Sequence, residues 1–307
     1  MIFRSISELK TIAAPLVVAA GVFDGVHLGH QTLIRRALEN ACCRDASCVI
    51  LTFDPHPAQF LRPASAPRLL TSTAHKIRLI QQLGAEHILL LSFNAALAAL
   101  PAAEFIYLLS LHAPFLREIC VGYNWSFGRR REGNIPLLRR LSTKFGFRVT
   151  EIGAVEMGGE TISSTRIRDF IQSGDLHSAA KFLGRKYTIL GTVVRGEGRG
   201  RSIGFPTANL ATHNELFPPD GVYAVHTQID GAIFSGVTNI GTRPTFPPAS
   251  QRTLEVHLLD YSGSLYGKDA KVCFEVFLRK EHKFHSLQLL RTQIEKDIHL
   301  ARALLKK

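Results

Sequence analysis

Two histidines three residues apart, His27 and His30, close the run Gly21-Val22-Phe23-Asp24-Gly25-Val26-His27-Leu28-Gly29-His30. Imidazoles donate hydrogen bonds without a fixed charge, which suits oxygens whose negative charge grows during phosphoryl or nucleotidyl transfer. Gly25 and Gly29 let a phosphate approach the backbone closely. A metal pair or two core histidines would use the same residue types. Metal-binding helical pairs, however, more often sit at i, i+4 with a carboxylate nearby. A second constellation lies far along the chain, in Gly196-Glu197-Gly198-Arg199-Gly200-Arg201-Ser202-Ile203-Gly204-Phe205-Pro206-Thr207-Ala208-Asn209. Gly196, Gly198, Gly200 and Gly204, with Arg199 among them and Pro206 after them, make a loop suited to covering phosphates. Thr207 and Asn209 present oxygens at i, i+2, hence on one face of an extended segment. Such hard ligands suit Mg²⁺ carrying ATP phosphates. No Gly-Lys-Ser/Thr follows, so this is not a P-loop. Glu255, in an otherwise apolar run, is a candidate general base, although a carboxylate facing solvent from a half-buried strand would look the same.

Three further segments carry polar groups near the first constellation. Asp54-Pro55-His56-Pro57 follows an apolar run and could place Asp54 at a ligand or in a solvated turn. Asn124, Trp125 and Phe127 combine an amide with aromatics between Gly122 and Gly128, and Arg129, Arg130 and Arg131 follow. That arginine run could enclose a phosphorylated substrate or be a solvated face. Ser164 and Thr165 can cap a helix whose free N–H groups favour anions. Arg166 or Arg168 could then grip a phosphate bidentately, or stand exposed on a surface helix.

These residues need elements to hold them. The apolar run 16–23, broken only by Gly21, reads as a buried strand, and residues 31–40 as an amphipathic helix. Strand, glycine-containing turn and helix start in that order form the place where an open α/β sheet receives an anion. Residues 47–53, 86–93 and 118–121 read as strands, and residues 74–83, 97–111 and 136–145 as helices. Such alternation predicts a parallel sheet with crossover helices. After Arg185 the texture changes to short β-rich runs at 187–194, 221–229, 232–239, 253–259 and 270–278, with a helix at 286–305. Many strands joined by turns predict a small antiparallel β-barrel with a terminal helix. The fold class is therefore α/β plus β, with domains at residues 1–185 and 186–307.

Composition sets outer limits. A chain of 307 residues with 46% hydrophobic and 20% charged residues can build two cores and is not generally disordered. Its net charge of +12 is spread out: 21 Lys/Arg against 14 Asp/Glu up to Arg185, and 16 against 11 beyond. There is no basic tail, so the balance suits polyphosphate substrates better than nucleic acid. Five cysteines lack metal spacing and predict thiols in a reducing cytoplasm. Arg4 and Lys10 before the first apolar run imitate a signal peptide, but Pro15 interrupts that run, which reads as the first sheet strand. No segment reads as long enough to span a bilayer.

Taken in order, the runs 23–30, 52–57, 121–128, 162–168, 196–210, 239–246 and 255–267 resemble the bacterial bifunctional riboflavin kinase/FAD synthetase family. The resemblance covers residues 12–305. It implies an N-terminal FMN adenylyltransferase of Rossmann-like fold and a C-terminal riboflavin kinase barrel. The substrates implied are riboflavin, FMN and ATP with Mg²⁺, without nucleic acid or membrane, and the oligomeric state stays open. By resemblance, His27 and His30 contact the ATP phosphates, together with Phe23, Asp24, Gly25 and Gly29. Asn124 lies near the α-phosphate, Ser164, Thr165 and Arg168 at the polyphosphate, and Asp54, Trp125 and Phe127 at the flavin. Thr207 and Asn209 hold Mg²⁺–ATP under the glycine loop, and Glu255 activates the ribityl hydroxyl. Trp125 and Tyr261 replace expected phenylalanines, and His75 an expected glutamate; none removes a group needed for chemistry.

Overall fold

The computed structural model describes residues 1–306 apart from 197, 199, 201–202, 214–215 and 243–251. The chain divides into two compact units, Met1–Arg68 with Thr73–Ser164, and Leu69–Ser72 with Thr165–Lys307. The change of sequence texture at Arg185 thus falls some way beyond the division of contacts.

The first unit carries β1 (Ile2–Phe3), β2 (Leu16–Ala20), α1 (Leu28–Cys42), β3 (Ser47–Asp54), α2 (Pro57–Leu61), α3 (Thr73–Gln82) and β4 (His87–Ser92). It continues with α4 (Ala95–Ala99), α5 (Ala102–His112), β5 (Leu116–Gly122), α6 (Ile135–Phe145), β6 (Arg148–Ile152) and the short hairpin β7 (Glu156–Met157) and β8 (Glu160–Thr161). The main sheet is parallel throughout, ordered β1-β4-β3-β2-β5-β6. Its strands bury both faces. Val17, Ala19, Ile50 and Leu90 pack with Leu33, Ile34 and Ile80 from α1 and α3. Leu16, Val18, Leu51 and Leu89 face Phe105, Ile106 and Leu138 from α5 and α6. Helices on both faces explain why these strands are continuous apolar runs rather than alternating ones.

The predicted helix over 97–111 is in fact two. Proline cannot donate a backbone hydrogen bond, and it forces the preceding residue out of the helical region. Leu100 accordingly lies at φ −70°, ψ 123°, before Pro101, and α4 ends there. The apolar run 16–23 is not the first strand, since β1 precedes it and pairs with β4 at the sheet edge. Strand β6 and the hairpin β7–β8 were not expected from the sequence.

The second unit contains α7 (Ser164–Ser173, entering from the first unit at Ser164), α8 (Leu176–Leu183), β9 (Thr188–Val194), β10 (Ala208–Thr212), β11 (Gly221–Ile229), β12 (Ala232–Thr242), β13 (Arg252–Leu258), β14 (Asp269–Arg279) and α9 (Leu287–Leu305). The described strands close an antiparallel barrel in the order β10-β13-β12-β11-β14-β9. Alternation is clean on β13, where Leu254, Val256 and Leu258 are buried and Thr253, Glu255 and His257 are half-buried on the outer face. Buried Asp297 of α9 receives Arg279 Nε at 3.0 Å and Nη2 at 2.8 Å, which fastens the terminal helix to the end of β14.

Candidate active sites

In the first unit the chain runs from β2 outward to β3 and β4, then returns across the sheet to β5 on the other side of β2. The carboxyl ends of β2 and β5 therefore flank a topological switch point, where open α/β sheets bind ligands. The turn that follows β2 carries the histidines, and Asn124 stands exposed just after β5. This turn is tightly constrained. A Cβ at Gly21 would lie 2.8 Å from the Phe23 ring. Phe23 itself is buried and left-handed at φ 55°, Gly25 has φ 79°, and Val26 has φ 41°. Such conformations in Phe and Val persist only where surrounding contacts impose them.

His27 is the N-cap of α1, its Nδ1 accepting from the His30 N–H at 3.3 Å. The two rings stack at 3.6 Å with 18° between their planes, and Phe23 meets His30 edge-on at 5.3 Å. A Cβ at Gly29 would lie 3.3 Å from the His27 ring, so glycine there makes room for the histidine. Burial, then His27 and then Lys76, hold the His30 pKa well below its usual value, so His30 is a neutral donor at neutral pH. His30 Nδ1 is buried with no hydrogen-bond partner among the described residues. Ser164 Oγ donates to Asp24 O at 3.0 Å, so α7 begins against this turn. Thr165 and Arg168 follow on α7 and count with the second unit.

Asp54 ends β3 and accepts from Thr73 Oγ1 at 2.7 Å. Trp125 stacks on Phe127 at 4.3 Å and 18°. Phe127 is only 8% exposed and belongs to the core with Phe105, so Trp125 carries the accessible aromatic face. Arg131 Nε donates to Ser126 Oγ at 2.8 Å, and Arg129 faces Glu132 at 3.9 Å. His75, at the position where a glutamate was expected, is buried on α3. Its neighbour Lys76 escaped the sequence analysis altogether. Its Nζ donates to Phe53 O at 2.9 Å, near the end of β3, and to Val22 O at 3.3 Å, in the turn after β2. Burial lowers its pKa to about 8, against the opposing pull of Asp24 and Asp54. The available signal was position: Lys76 lies one turn before buried Ile80, on the apolar stripe of α3.

On the barrel, register brings the second constellation together. Asn209 of β10 and Asn239 of β12 both pair with Glu255 of β13, forming a row across three strands on the outer face. Thr207 Oγ1 lies 3.5 Å from Glu255 Oε2, and buried Thr238 Oγ1 donates to Glu255 O at 2.9 Å. Of the described loop glycines, Gly196 lies against Asn209 of this row and Gly200 against Thr207. A Cβ at Gly196 would clash with the Asn209 amide, and one at Gly200 with the Phe205 carbonyl. Gly198 and Gly204 have φ of 72° and 92°, and the Pro206 carbonyl pairs with His257 Nδ1 at 2.8 Å. Arg199 and positions 243–246 lie outside the described residues. Glu281, also not anticipated, accepts from Asn239 Nδ2 at 2.7 Å and fills the space a Cβ at Gly241 would need. Tyr261 packs edge-on against Phe234 at 5.1 Å.

A histidine-bearing turn at a sheet switch point, joined in one chain to a barrel bearing an acid–amide row, is the pattern of a two-unit transferase. Family models agree with both halves, FAD synthetase over residues 9–166 and riboflavin kinase over residues 183–305. The chain belongs to the bifunctional riboflavin kinase/FMN adenylyltransferase family. It is 36% identical to the protein of that name from Pseudomonas fluorescens, over 98% of this chain and 96% of the relative. The Haemophilus influenzae protein is 35% identical over 98% of both chains, and the Escherichia coli K12 protein 37% identical over 93% and 91%. The fold matches a crystal structure described as a macrolide-efflux protein from Streptococcus pneumoniae, with TM-score 0.86 and 30% identity over 98% of both chains. Among the described residues no helix is long and apolar enough to cross a membrane.

Proposed function

We propose that the chain converts riboflavin to FMN on its barrel and FMN to FAD on its α/β unit, with one ATP used in each step. The observation that carries this reading is the presence, in one chain, of the stacked histidines at a switch point and the Thr207–Asn209–Glu255 group on the barrel. In the first step the ribityl 5′-hydroxyl attacks the γ-phosphorus of ATP in line, ADP leaves, and Glu255 takes the hydroxyl proton. In the second, a phosphate oxygen of FMN attacks the α-phosphorus of a second ATP and pyrophosphate leaves. That phosphate is already a nucleophile at neutral pH, so the site needs positioning and charge stabilisation rather than a base. Neutral His30 and its stacked partner His27 suit that role, with Ser164, Thr165 and Arg168 at the polyphosphate and Asn124 near the α-phosphate. Trp125 offers a stacking face for the isoalloxazine, with Phe127 behind it and Asp54 at the rim.

The donor set on the barrel is hydroxyl and amide oxygen beside a carboxylate, which fits Mg²⁺ rather than a softer metal. Thr207 and Asn209 would hold it, and it would neutralise charge on the transferring phosphates. All five cysteines are free, which supports a reducing, cytoplasmic setting.

The kinase site is assigned wholly to the barrel, so a fragment from Lys186 onward should phosphorylate riboflavin and make no FAD. That fragment loses the weaker Tyr187 O–H bond, to Leu70 O at 3.4 Å, and keeps the 2.9 Å bond to Leu216 O. Product separation after incubation with riboflavin, ATP and Mg²⁺ checks this expectation. A folded fragment without kinase activity would place part of the kinase site elsewhere.

A further inference from the structure

Lys76 is the one lysine or arginine among the described residues that is almost wholly buried, at 5% exposure. Its ammonium is held by two backbone carbonyls, Phe53 O and Val22 O. Burying a charge is costly, and tying the end of β3 to the turn after β2 does not require one. A neutral donor already serves Val22 O, which accepts from Thr52 Oγ1 at 2.9 Å. The position of the ammonium is therefore informative. Val22 immediately precedes Phe23, whose ring abuts His30, and His30 stacks on His27. A shift of the Val22 carbonyl would pass through Phe23 to both imidazoles.

We propose that Lys76 is a positioning residue for adenylyl transfer, pinning the turn after β2 to the end of β3 so that Phe23 sets the His27–His30 pair where the phosphates of ATP react. This rests on reading the turn after β2 as the adenylyltransferase site. Lys76 need not touch substrate. It acts through the carbonyls it holds and through its charge, which helps keep His30 neutral.

The test is steady-state FAD formation from FMN by the full chain, comparing Lys76→Met, Lys76→Arg and His30→Ala. Trp125 is the only tryptophan and lies in the first unit, so its fluorescence melt reports the folding of that unit. In Lys76→Met, assayed well below that melt, kcat should fall about 10–100-fold, the scale of a small misplacement of catalytic groups. The KM for FMN should change by less than about threefold, because positioning acts on the reacting complex more than on binding. Riboflavin phosphorylation should be unchanged, and Lys76→Arg, which keeps charge and donors, should recover part of the loss. A purely structural lysine would lower the melt and leave kcat of the folded protein intact. Folded Lys76→Met with kcat within about twofold of the parent would overturn the proposal, twofold being under the effect of one ordinary hydrogen bond. If His30→Ala were also fully active, the reading of the turn itself would fall; if His30→Ala alone were crippled, only the role of Lys76 would. Should Lys76→Met not fold, Thr52→Val decides, since it removes the other donor to Val22 O without touching a charge. It should lower kcat by roughly threefold to tenfold, the scale of one hydrogen bond, and an unchanged kcat would overturn the proposal.

Discussion

Glu255→Gln should lower kcat for riboflavin phosphorylation by about 10²–10⁴-fold, the range expected for loss of a general base. The substitution keeps the size of the side chain and removes its ability to accept a proton. Glu255 lies on the outer face of β13, half-buried, between Asn209 and Asn239 in the strand register. Its backbone is fixed from the barrel interior by Thr238, so the variant should fold as the parent does. Riboflavin binding, thermal stability and FAD formation from supplied FMN should change little. A carboxylate that merely decorated the strand would show none of this selectivity. Near-normal kinase turnover in the variant would remove Glu255 as base and leave Thr207, Asn209 and Mg²⁺ as the principal catalytic elements.

The second large effect is expected in the first unit. His27→Ala or His30→Ala should reduce FAD formation from FMN by about a hundredfold or more, the scale of one lost transition-state donor. Riboflavin phosphorylation should persist in both. The two variants differ in what else they disturb. His27 caps α1 through its side chain, so its loss also costs about 1 kcal/mol of helix stability. His30 contributes only its backbone N–H to that cap, so His30→Ala isolates the ring. His27→Asn supplies a capping side chain without an imidazole and should be as inactive as His27→Ala while melting closer to the parent. Equal loss of both activities in a folded His30→Ala protein would show that the histidines do not belong to one site.

Much of this architecture was readable because it is written in local patterns. Continuous apolar runs marked β2 to β5, since a sheet covered on both faces needs no alternation. The histidine turn and the glycine loop were legible from residue types and spacing. What escaped was non-local or mixed in signal. Apolar periodicity across residues 97–111 concealed the break at Pro101, where backbone geometry outweighs side-chain pattern. Strand β10 reads weakly as Ala-Asn-Leu-Ala-Thr, and its extended state comes from pairing with β9 and β13. That pairing creates the row that sets Asn209 and Asn239 beside Glu255, a register no linear motif contains. Lys76 was missed for a related reason. A lysine on an amphipathic helix reads as solvated unless its place on the buried stripe is given weight over its type. Phe127 shows the converse: an aromatic placed at the flavin by resemblance packs in the core at 8% exposure, with Trp125 stacked on it.

One chain transfers two different phosphorus atoms, the γ-phosphoryl group to riboflavin and the adenylyl group to FMN. Parallel reactions of the purified full chain with riboflavin and Mg²⁺, using ATP labelled at either the γ- or the α-phosphorus, test it directly when flavins are separated over time. FMN should carry only γ-label and rise before FAD. FAD should carry γ-label on its flavin side and α-label on its adenosine side, with unlabelled pyrophosphate released from α-labelled ATP. Riboflavin left unphosphorylated, or FMN that accumulates without ever acquiring α-label as FAD, would contradict the account.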